Sequence, residues 1–396
     1  MKTFKANISA NLSYLDRLKI NTLGNEHRVL YNHLLQKTKE ADVGADFKKL
    51  NAEYVKFRNA NNLTIPSKSA QNTCISLISA IKAFYKLRKT DPSAKFPHRF
   101  KSWKFFTSFT YDWNSGNGGF YFKDGYLIIR KPEISIKLPD YLSSKDLSDV
   151  KTITFSGQDD KIFLSIVTGS KNENLQAAEN WLSIDPGLTS IITGVTNTGK
   201  VLQYANSTFK KLEKSVDKLK SQRDKKKKYS NRYNKMKNAL NRKQKKLTNK
   251  RRYFHHKLTR EIVDFCKEEQ IDTIIHGDIE TKKLTKGKCA SKGLNKSTQN
   301  RGSLSRVKSF LAYKAEQVGI KHVLQNEAYT SKTNCLTGEI LSSVSLSTRT
   351  IEVDDGVFID RDINGAINIA QKNLGTWSPQ LKWIKDLSIS KRYVVV

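Results

Sequence analysis

The chain has 396 residues, of which 37% are apolar and 10% aromatic, so it is long enough for two or three domains with a sizeable core. Its 71 Lys and Arg against 37 Asp and Glu give a formal net charge of +34, which predicts a polyanionic partner. No apolar run approaches the roughly 20 residues that span a bilayer, and the N-terminus lacks a signal-peptide core. The four cysteines form no CxxC pair. We therefore expect a nucleic acid rather than a membrane as the partner, in a reducing, intracellular compartment.

The first half of the chain combines strand and helix patterns. Residues 1–8 alternate Lys with apolar residues, as a half-exposed strand does. Amphipathic helices are predicted over residues 22–38 and 69–89. The second helix places four apolar side chains at spacings of three and four: Ile75, Ile78, Ile81 and Tyr85. From about residue 92 to 175, aromatic and polar residues alternate around Gly turns. The simplest architecture is a small β-barrel interrupted by a helical insert.

A dense run of basic residues follows. Residues 209–260 carry 22 Lys or Arg and three acids, more than half of the net charge. Such a run is usually a solvated helix face or a disordered tail. Here it contains two apolar seams, the second repeating every seven residues: Leu212, Val216 and Leu219, then Tyr233, Leu240, Leu247 and Phe254. We therefore predict a helical hairpin whose seam packs while its outer faces bind phosphates.

Carboxylates stand at the ends of elements in the remaining, alternating α/β part of the chain. Asp185 ends a buried strand, and Asp278 and Glu280 end a later strand. Asp362 lies at the start of a predicted helix, where a negative charge suits the helix dipole. The order of these elements is that of an RNase H-type core: a strand with an acid, a β-meander, a long excursion, a second strand with an acid and a late helix with an acid.

These separated acids suit a two-metal nuclease site. Two Mg²⁺ ions about 4 Å apart can activate the attacking water and stabilise the leaving oxygen of a phosphodiester. Mg²⁺ takes hard oxygen ligands, so a few carboxylates from distant segments suffice. Each acid alone is more simply an N-cap, a turn former or a solvated charge. Together, beside so basic a hairpin, Asp185, Asp278 and Asp362 are predicted to hold metal.

The sequence resembles the TnpB family, transposon-encoded RNA-guided nucleases that are related to the compact type V CRISPR effectors. The resemblance runs nearly end to end and is carried by these motifs: SIDPGLTSI, IIHGDIETKKL, YKAEQVGI, AYTSKTNC and IDRDINGAINIA, with KFPHRFKS and SFTY in support. It implies an α/β multidomain protein with an RNase H-like, RuvC-type nuclease core, a basic helical hairpin, a wedge β-barrel and a helical recognition insert.

The domain ranges follow from the resemblance. The wedge β-barrel has two parts, 1–20 and 91–178, and the helical recognition insert between them is 21–90. The nuclease domain is 179–396, and it includes the basic helical hairpin at 209–260 and a degenerate zinc-ribbon-like hairpin at 329–359. The resemblance also makes Asp185 the first-motif metal ligand and Asp362 the third-motif ligand.

The partners and cofactor are implied in the same way. They are a guide RNA from the end of the element, double-stranded target DNA with a short adjacent motif that the protein reads, and two Mg²⁺ ions. The protein is expected to be a monomer with one RNA, without a membrane partner, in the cytoplasm of a prokaryote and at the nucleoid when it is bound to DNA.

The second nuclease motif departs from the family pattern. Much of the family has a Glu directly before the Asp-Leu that ends this strand, and the matching residue here is Gly277. Asp278 and Glu280 follow one and three residues later and point to the same face of an extended strand. Asp278 is preferred because it is nearest to the strand end, and Glu280 remains the alternative.

The zinc-ribbon motif departs as well. The family usually has two CxxC pairs at positions where this chain has Asn334, Thr337, Glu352 and Asp355, with Cys335 out of register. Because a closed structural zinc site needs four ligands, zinc is not expected.

Three functions are compatible with these residues. The first is a Mg²⁺-dependent RNA-guided DNA endonuclease. The second is an RNA-guided DNA-binding repressor that has lost cleavage, which Gly277 and the missing zinc ligands favour. The third, a general RNA-binding protein, explains the charge but leaves the acids unexplained.

Overall fold

The structure is a computed structural model that describes residues 2–40, 46–94, 96, 99–113, 119–158, 160–169, 179–187, 190–205, 209–279, 304–341, 348–375, 379 and 381–393. Its internal contacts divide the chain into two compact units, Met1–Ser170 and Lys171–Val396. No helix within these described residues is both long and apolar enough to cross a membrane. Both units combine helices with strands, so the predicted α/β class is confirmed.

The strands of the first unit form two antiparallel sheets. Their bounds are β1 Lys2–Asn7, β2 Phe109–Asp112, β3 Phe120–Lys123, β4 Tyr126–Ile129, β5 Ile134–Lys137, β6 Val150–Gln158 and β7 Lys161–Thr168. The sheet orders are β1-β7-β6-β2 and β3-β4-β5. Apolar side chains from both sheets share one buried cluster. Among the described strands, hydrogen bonds do not join the two sheets into the closed barrel that the sequence predicts.

The helices of this unit are α1 Tyr14–Lys37, α2 Phe47–Ala60, α3 Ser67–Thr90 and the short α4 Asp140–Ser143. Helix α2 is absent from the sequence-based prediction. Its start is fixed by Asp46, whose Oδ1 accepts a hydrogen bond from the backbone N–H of Lys49 at 2.9 Å, as an N-cap residue does. Leu50 and Tyr54, four residues apart, pack into a cluster with α1 and α3.

The predicted apolar face of α3 is partly wrong. Ile78 and Ile81 are buried as expected, whereas Ile75 is 45% exposed and Tyr85 is 56% exposed. The buried stripe runs instead through residues such as Cys74 and Leu77. Spacings of three and four occur on more than one face of an apolar helix, so periodicity alone does not choose the buried one.

A mixed sheet organises the second unit. The strands of this sheet are β8 Trp181–Asp185, β9 Ser190–Thr196, β10 Lys200–Ala205, β11 Thr273–Gly277, β12 Lys321–Gln325 and, at one edge, β15 Ser388–Tyr393. Strands β13 Thr350–Asp354 and β14 Val357–Asp360 form a separate hairpin. The order in the sheet is β12-β11-β8-β9-β10-β15. Strands β8, β9 and β10 are an antiparallel meander, and β11 and β12 run parallel to β8. The predicted order of strand, meander, excursion and second strand is confirmed.

The helices of the second unit are α5 Lys210–Asp224, α6 Asn231–Glu268, α7 Leu304–Gln317, α8 Arg361–Leu374 and the short α9 Leu381–Lys385. Helices α5 and α6 form the predicted basic hairpin, and Val216, Leu240 and Leu247 are buried along its seam. Helix α6 continues without a break beyond the basic run as far as Glu268.

Candidate functional site

The first candidate residue, Asp185, closes β8 at one edge of the sheet. In the parallel ladder Ile184 pairs with His276, which brings the next residues, Asp185 and Gly277, side by side. On the far side Gly277 pairs with Gln325, the last residue of β12. The carboxyl ends of three parallel strands therefore meet here, which is where open α/β sheets commonly bind ligands.

Helix α8 brings Asp362 to this edge. The carboxylate of Asp360 accepts hydrogen bonds from the backbone N–H groups of Asp362 at 2.8 Å and of Ile363 at 3.3 Å, so it caps the helix and fixes its first turn. The helix lies on β8, where the Ser183 hydroxyl donates a 2.6 Å hydrogen bond to the carbonyl of Ala366. Asp362 thus begins a helix that is held against the strand carrying the first acid.

Gly365 permits the close approach of α8 to Asp185. A Cβ atom at Gly365 would lie 2.5 Å from Oδ2 of Asp185, closer than real Cβ contacts allow. Residue 365 is one helical turn beyond Asp362, so the two share a helix face. The helix face that carries Asp362 is therefore the face that contacts Asp185.

The acids at this edge oppose one another electrostatically. Burial raises the pKa of Asp185 well above its usual range, and the negative charges of Glu327 and Asp362 raise it further, while Arg361 opposes them. Burial also raises the pKa of Asp362, with Asp360 as the next cause. Holding these groups ionised together without a cation is unfavourable, so the site is suited to positive charge.

The second-motif candidates have a different environment. Asp278 follows β11, and its backbone N–H donates a 2.8 Å hydrogen bond to the carbonyl of Gln325. Its carboxylate accepts a 2.5 Å hydrogen bond from Nζ of Lys308 on α7, in an ion pair that is about one-third exposed. Glu280 lies outside the described residues. The structure therefore brings Asp185 and Asp362 together and pairs Asp278 with a lysine.

Sequence reasoning missed Glu327, two residues beyond the end of β12. Its Oε2 atom is buried and has no hydrogen-bond partner among the described residues. Burial raises the pKa of Glu327 to about 7, and the charge of Asp278 adds to the effect. An acid shortly after the third parallel strand was a usable signal, because the carboxyl ends of neighbouring parallel strands lie at one edge of a sheet.

The donor chemistry of this edge fits Mg²⁺. Carboxylate oxygens are the hard ligands that Mg²⁺ takes, and it keeps several waters, so a few acids suffice. The Oε2 atom of Glu327 is buried, has no hydrogen-bond partner among the described residues and is therefore available as a ligand. Across the described ranges, however, no three Asp, Glu, His or Cys side chains stand close enough to hold an ion as they are. Metal binding here would require side-chain rotation.

The described buried side chains of the zinc-ribbon-like region are neutral. Asn334 is buried, its amide donates a 3.0 Å hydrogen bond to the Val353 carbonyl, and its Oδ1 accepts one from the Leu336 N–H at 2.9 Å. Cys335 is buried in an apolar cluster with residues such as Ile351, and burial raises its pKa to about 12. Such a thiol stays protonated and is a poor metal ligand.

Two asparagines of α8 bind the same loop. Asn364 accepts a 3.1 Å hydrogen bond from the Cys335 N–H and donates one of 2.8 Å to the Thr333 carbonyl. Asn368 donates to the carbonyls of Thr330 and Thr333 at 2.8 and 2.6 Å. The loop is therefore anchored on the helix that carries Asp362.

The basic hairpin offers an open groove along α6. The groove has a volume of about 790 Å³ and is lined mainly by cationic and aromatic side chains: Phe209, Arg242, Lys245, Lys246, Asn249, Lys250, Tyr253, Phe254 and Lys257. Tyr253 is 73% exposed. Cations beside an exposed aromatic ring suit a nucleic-acid strand, whose phosphates and bases they can contact.

Fold and site together define a basic, two-unit α/β protein with buried carboxylates at the end of a mixed sheet. Residues 164–283 match the OrfB_IS605 family, described as a probable transposase, and residues 305–369 match the Cas12f1-like TNB domain. The chain is therefore a TnpB-like protein, related to the compact type V effectors.

One of three similar solved structures agrees with this chain in fold. A Cas12f1 structure, from a complex with single-guide RNA and target DNA, is 16% identical, with a TM-score of 0.64 over 90% of this chain and 82% of that one. A Cas12f ternary complex is 14% identical over 91% and 82%, with a TM-score of 0.40. C2c1 of Alicyclobacillus acidoterrestris is 9% identical over 90% and 66%, also with a TM-score of 0.40. Only the first likeness is strong enough to compare folds. Comparison with curated proteins gave no match.

Proposed function

We propose that this protein is an RNA-guided DNA endonuclease that cuts its target next to a short adjacent motif. The observation that carries the proposal is the contact of α8 with Asp185, which brings Asp362 to the same sheet edge in a chain with a net charge of +34. The strand order of the second unit is the order of RNase H-type cores, which supports a RuvC-type nuclease domain over 179–396.

The chain's own residues prepare the site. Asp185 and Asp362 would hold the metal, and Asp278 or Glu280 is the second-motif candidate from the sequence. Two Mg²⁺ ions, when bound, activate the attacking water and stabilise the leaving oxygen. Asp360 orients the first turn of α8, and Gly365 leaves room for the Asp185 carboxylate.

The remaining parts are assigned by the same proposal. The groove along α6 binds guide-RNA or target phosphates. Residues 1–20 and 91–178 are a wedge domain, 21–90 are a recognition insert, and a monomer binds one RNA from the element's end. The working location is the prokaryotic cytoplasm, at the nucleoid when DNA is bound.

Co-expression with the flanking DNA tests this function. We expect a structured RNA to co-purify, and the complex to cut a matching duplex in Mg²⁺. RNA binding should weaken with salt, with a log–log slope of about 0.7 to 0.9 per neutralised phosphate. Protein that is free of nucleic acid at moderate salt, or a complex that cuts without regard to the RNA sequence, would contradict the proposal.

A second candidate is an RNA-guided DNA-binding repressor without cleavage. Gly277 at the second-motif position favours it, as does the lack, among described residues, of a ready-made three-ligand group. A complex that binds its guided target but does not cut it in either Mg²⁺ or Mn²⁺ would establish this function instead.

A further inference from the structure

The space beside Gly277 is occupied by another side chain. A Cβ atom built on Gly277 would lie 2.8 Å from Oε2 of Glu327, 2.9 Å from Cδ1 of Ile369 and 3.1 Å from Cδ of Pro186. The first of these contacts is with the carboxylate of Glu327, a residue that lies 50 positions further along the chain. The position where a strand-end side chain would project is therefore filled by an acid from a neighbouring segment.

The sheet explains how Glu327 reaches this position. Strand β12 is parallel to β11 and pairs Gln325 with Gly277, so both strands end at the same edge. Neighbouring strands are about 4.8 Å apart. Because Gly277 has no side chain, a glutamate two residues past the end of β12 can extend across β11 towards Asp185.

The environment of Glu327 is suited to a cation. Its Oε2 is buried, and no described residue donates a hydrogen bond to it. A purely structural acid in such a place is expected to have a donor, since leaving a buried charged group unpaired costs more than the hydrogen bond itself contributes.

We propose that Glu327 is the third carboxylate ligand of the metal site, supplied from the end of β12 in place of the side chain that Gly277 lacks. The proposal rests on the proposed nuclease function, and it names the residue that completes that site. Asp278, which is paired with Lys308, then has a supporting electrostatic role and does not contact the metal.

Matched isosteric variants of the full-length protein test the assignment. Glu327→Gln should lower guided cleavage by at least about 100-fold, because losing one ligand removes several kcal/mol of stabilisation. Asp354→Asn changes an exposed acid at the end of β13 and should leave cleavage unchanged, whereas Asp278→Asn should lower cleavage less than Glu327→Gln does. Equal cleavage by Glu327→Gln and the unmodified protein would overturn the proposal, as would a dead Asp278→Asn beside an active Glu327→Gln.

A binding measurement separates this proposal from the proposed function. Calorimetric titration of the RNA-bound protein with Mn²⁺ should show weaker binding, by at least about tenfold, in Glu327→Gln, a smaller loss in Asp278→Asn and unchanged binding in Asp354→Asn. This readout remains valid if the unmodified protein never cuts DNA. Mn²⁺ binding that Glu327→Gln leaves unchanged overturns the ligand assignment even if cleavage is confirmed.

Moving the carboxylate back to β11 is a positive test. Gly277→Glu alone should improve neither Mn²⁺ binding nor cleavage, since its Cβ would lie 2.8 Å from the Glu327 carboxylate. Combined with Glu327→Ala, it should recover Mn²⁺ binding and part of the cleavage that Glu327→Ala loses, because the remaining crowding comes from the end of the flexible Ile369 side chain and from Pro186, which need move by only a few tenths of an ångström. A folded double variant no better than Glu327→Ala would contradict the equivalence of the two positions.

Discussion

Two regions of the second unit lack ligands that the family resemblance leads us to expect, and they fill the vacant positions differently. In the ribbon-like region, Asn334 satisfies backbone groups around a protonated Cys335, and α8 supplies two more amides. At the sheet edge, Gly277 replaces an acid, but the carboxylate of Glu327 occupies the space.

The difference lies in how far each region removes its acids from solvent: Glu352 and Asp355 of the ribbon-like region are exposed, whereas Asp185, Glu327 and Asp362 at the sheet edge are partly buried. Neutral amide hydrogen bonds and apolar packing can replace a structural metal, because they satisfy the buried groups without a cation. The sheet edge instead keeps Asp185, Glu327 and Asp362, whose pKa values are all raised by burial; at Asp185 the charges of Glu327 and Asp362 add to the effect. A region that no longer bound metal would be expected to lose such acids, so the comparison supports metal binding at the edge and not in the ribbon.

The largest expected effect is at the sheet edge. Asp185→Ala and Asp362→Ala should each abolish guided cleavage, a loss of at least about 1000-fold, because these carboxylates hold the metal. RNA and target binding should remain nearly intact, since affinity comes from base pairing and basic surfaces. Cleavage and filter-binding assays on the same preparations measure both.

Asp354→Ala is the matched control for that prediction. Asp354 is an exposed acid at the end of β13, within the ribbon-like region. Its removal should leave cleavage unchanged. If Asp354→Ala were as inactive as Asp185→Ala, the two regions would not differ in the way that we describe.

Gly365→Ala should have the next largest effect. The new Cβ would lie 2.5 Å from Oδ2 of Asp185 and force that carboxylate to move. A displacement of about 1 Å at a reacting centre can cost about 100-fold in rate. The same change favours the helix by up to about 1 kcal/mol, so thermal stability should not fall greatly. A fully active Gly365→Ala protein would argue against the close contact of α8 with Asp185.

A smaller effect, on stability alone, is expected in the ribbon-like region. Asn334→Ala leaves the buried carbonyl of Val353 and the Leu336 N–H without their partner, which should cost about 2 kcal/mol in free energy of unfolding. Glu352→Ala, at an exposed matching position, should cost less than about 1 kcal/mol. Denaturant unfolding compares the two. Equal losses would mean that the buried amide does not replace the metal.

The smallest expected effect is that of added or removed metal on the unmodified protein. The purified protein should contain no stoichiometric zinc, and a zinc chelator should leave its melting temperature unaltered, because no thiolate is in place in the ribbon-like region. Mn²⁺ should raise the melting temperature, since it binds the folded sheet edge preferentially. One tightly held zinc per chain would overturn our interpretation of Asn334 and Glu352.

Much of the candidate site could be predicted from local sequence. Asp185 follows an apolar run that is stopped by Pro186, and Asp362 stands where a helix begins; both signals lie within a few residues. The hairpin seam of Val216, Leu240 and Leu247 was visible because helical periodicity is also local. The short α2 has only two buried positions, and its signal was correspondingly weaker.

The sequence by itself therefore determined most of the elements, the order of those in the second unit, and the two acids that end β8 and begin α8. The tertiary structure alone decided that α3 exposes Ile75, that Asp278 faces Lys308 and that Glu327 fills the space at Gly277. The physical reason is distance along the chain. Periodicity and capping act between residues a few positions apart, whereas the contact of Glu327 with Gly277 depends on the parallel register of β11 and β12, which joins segments about 50 residues apart.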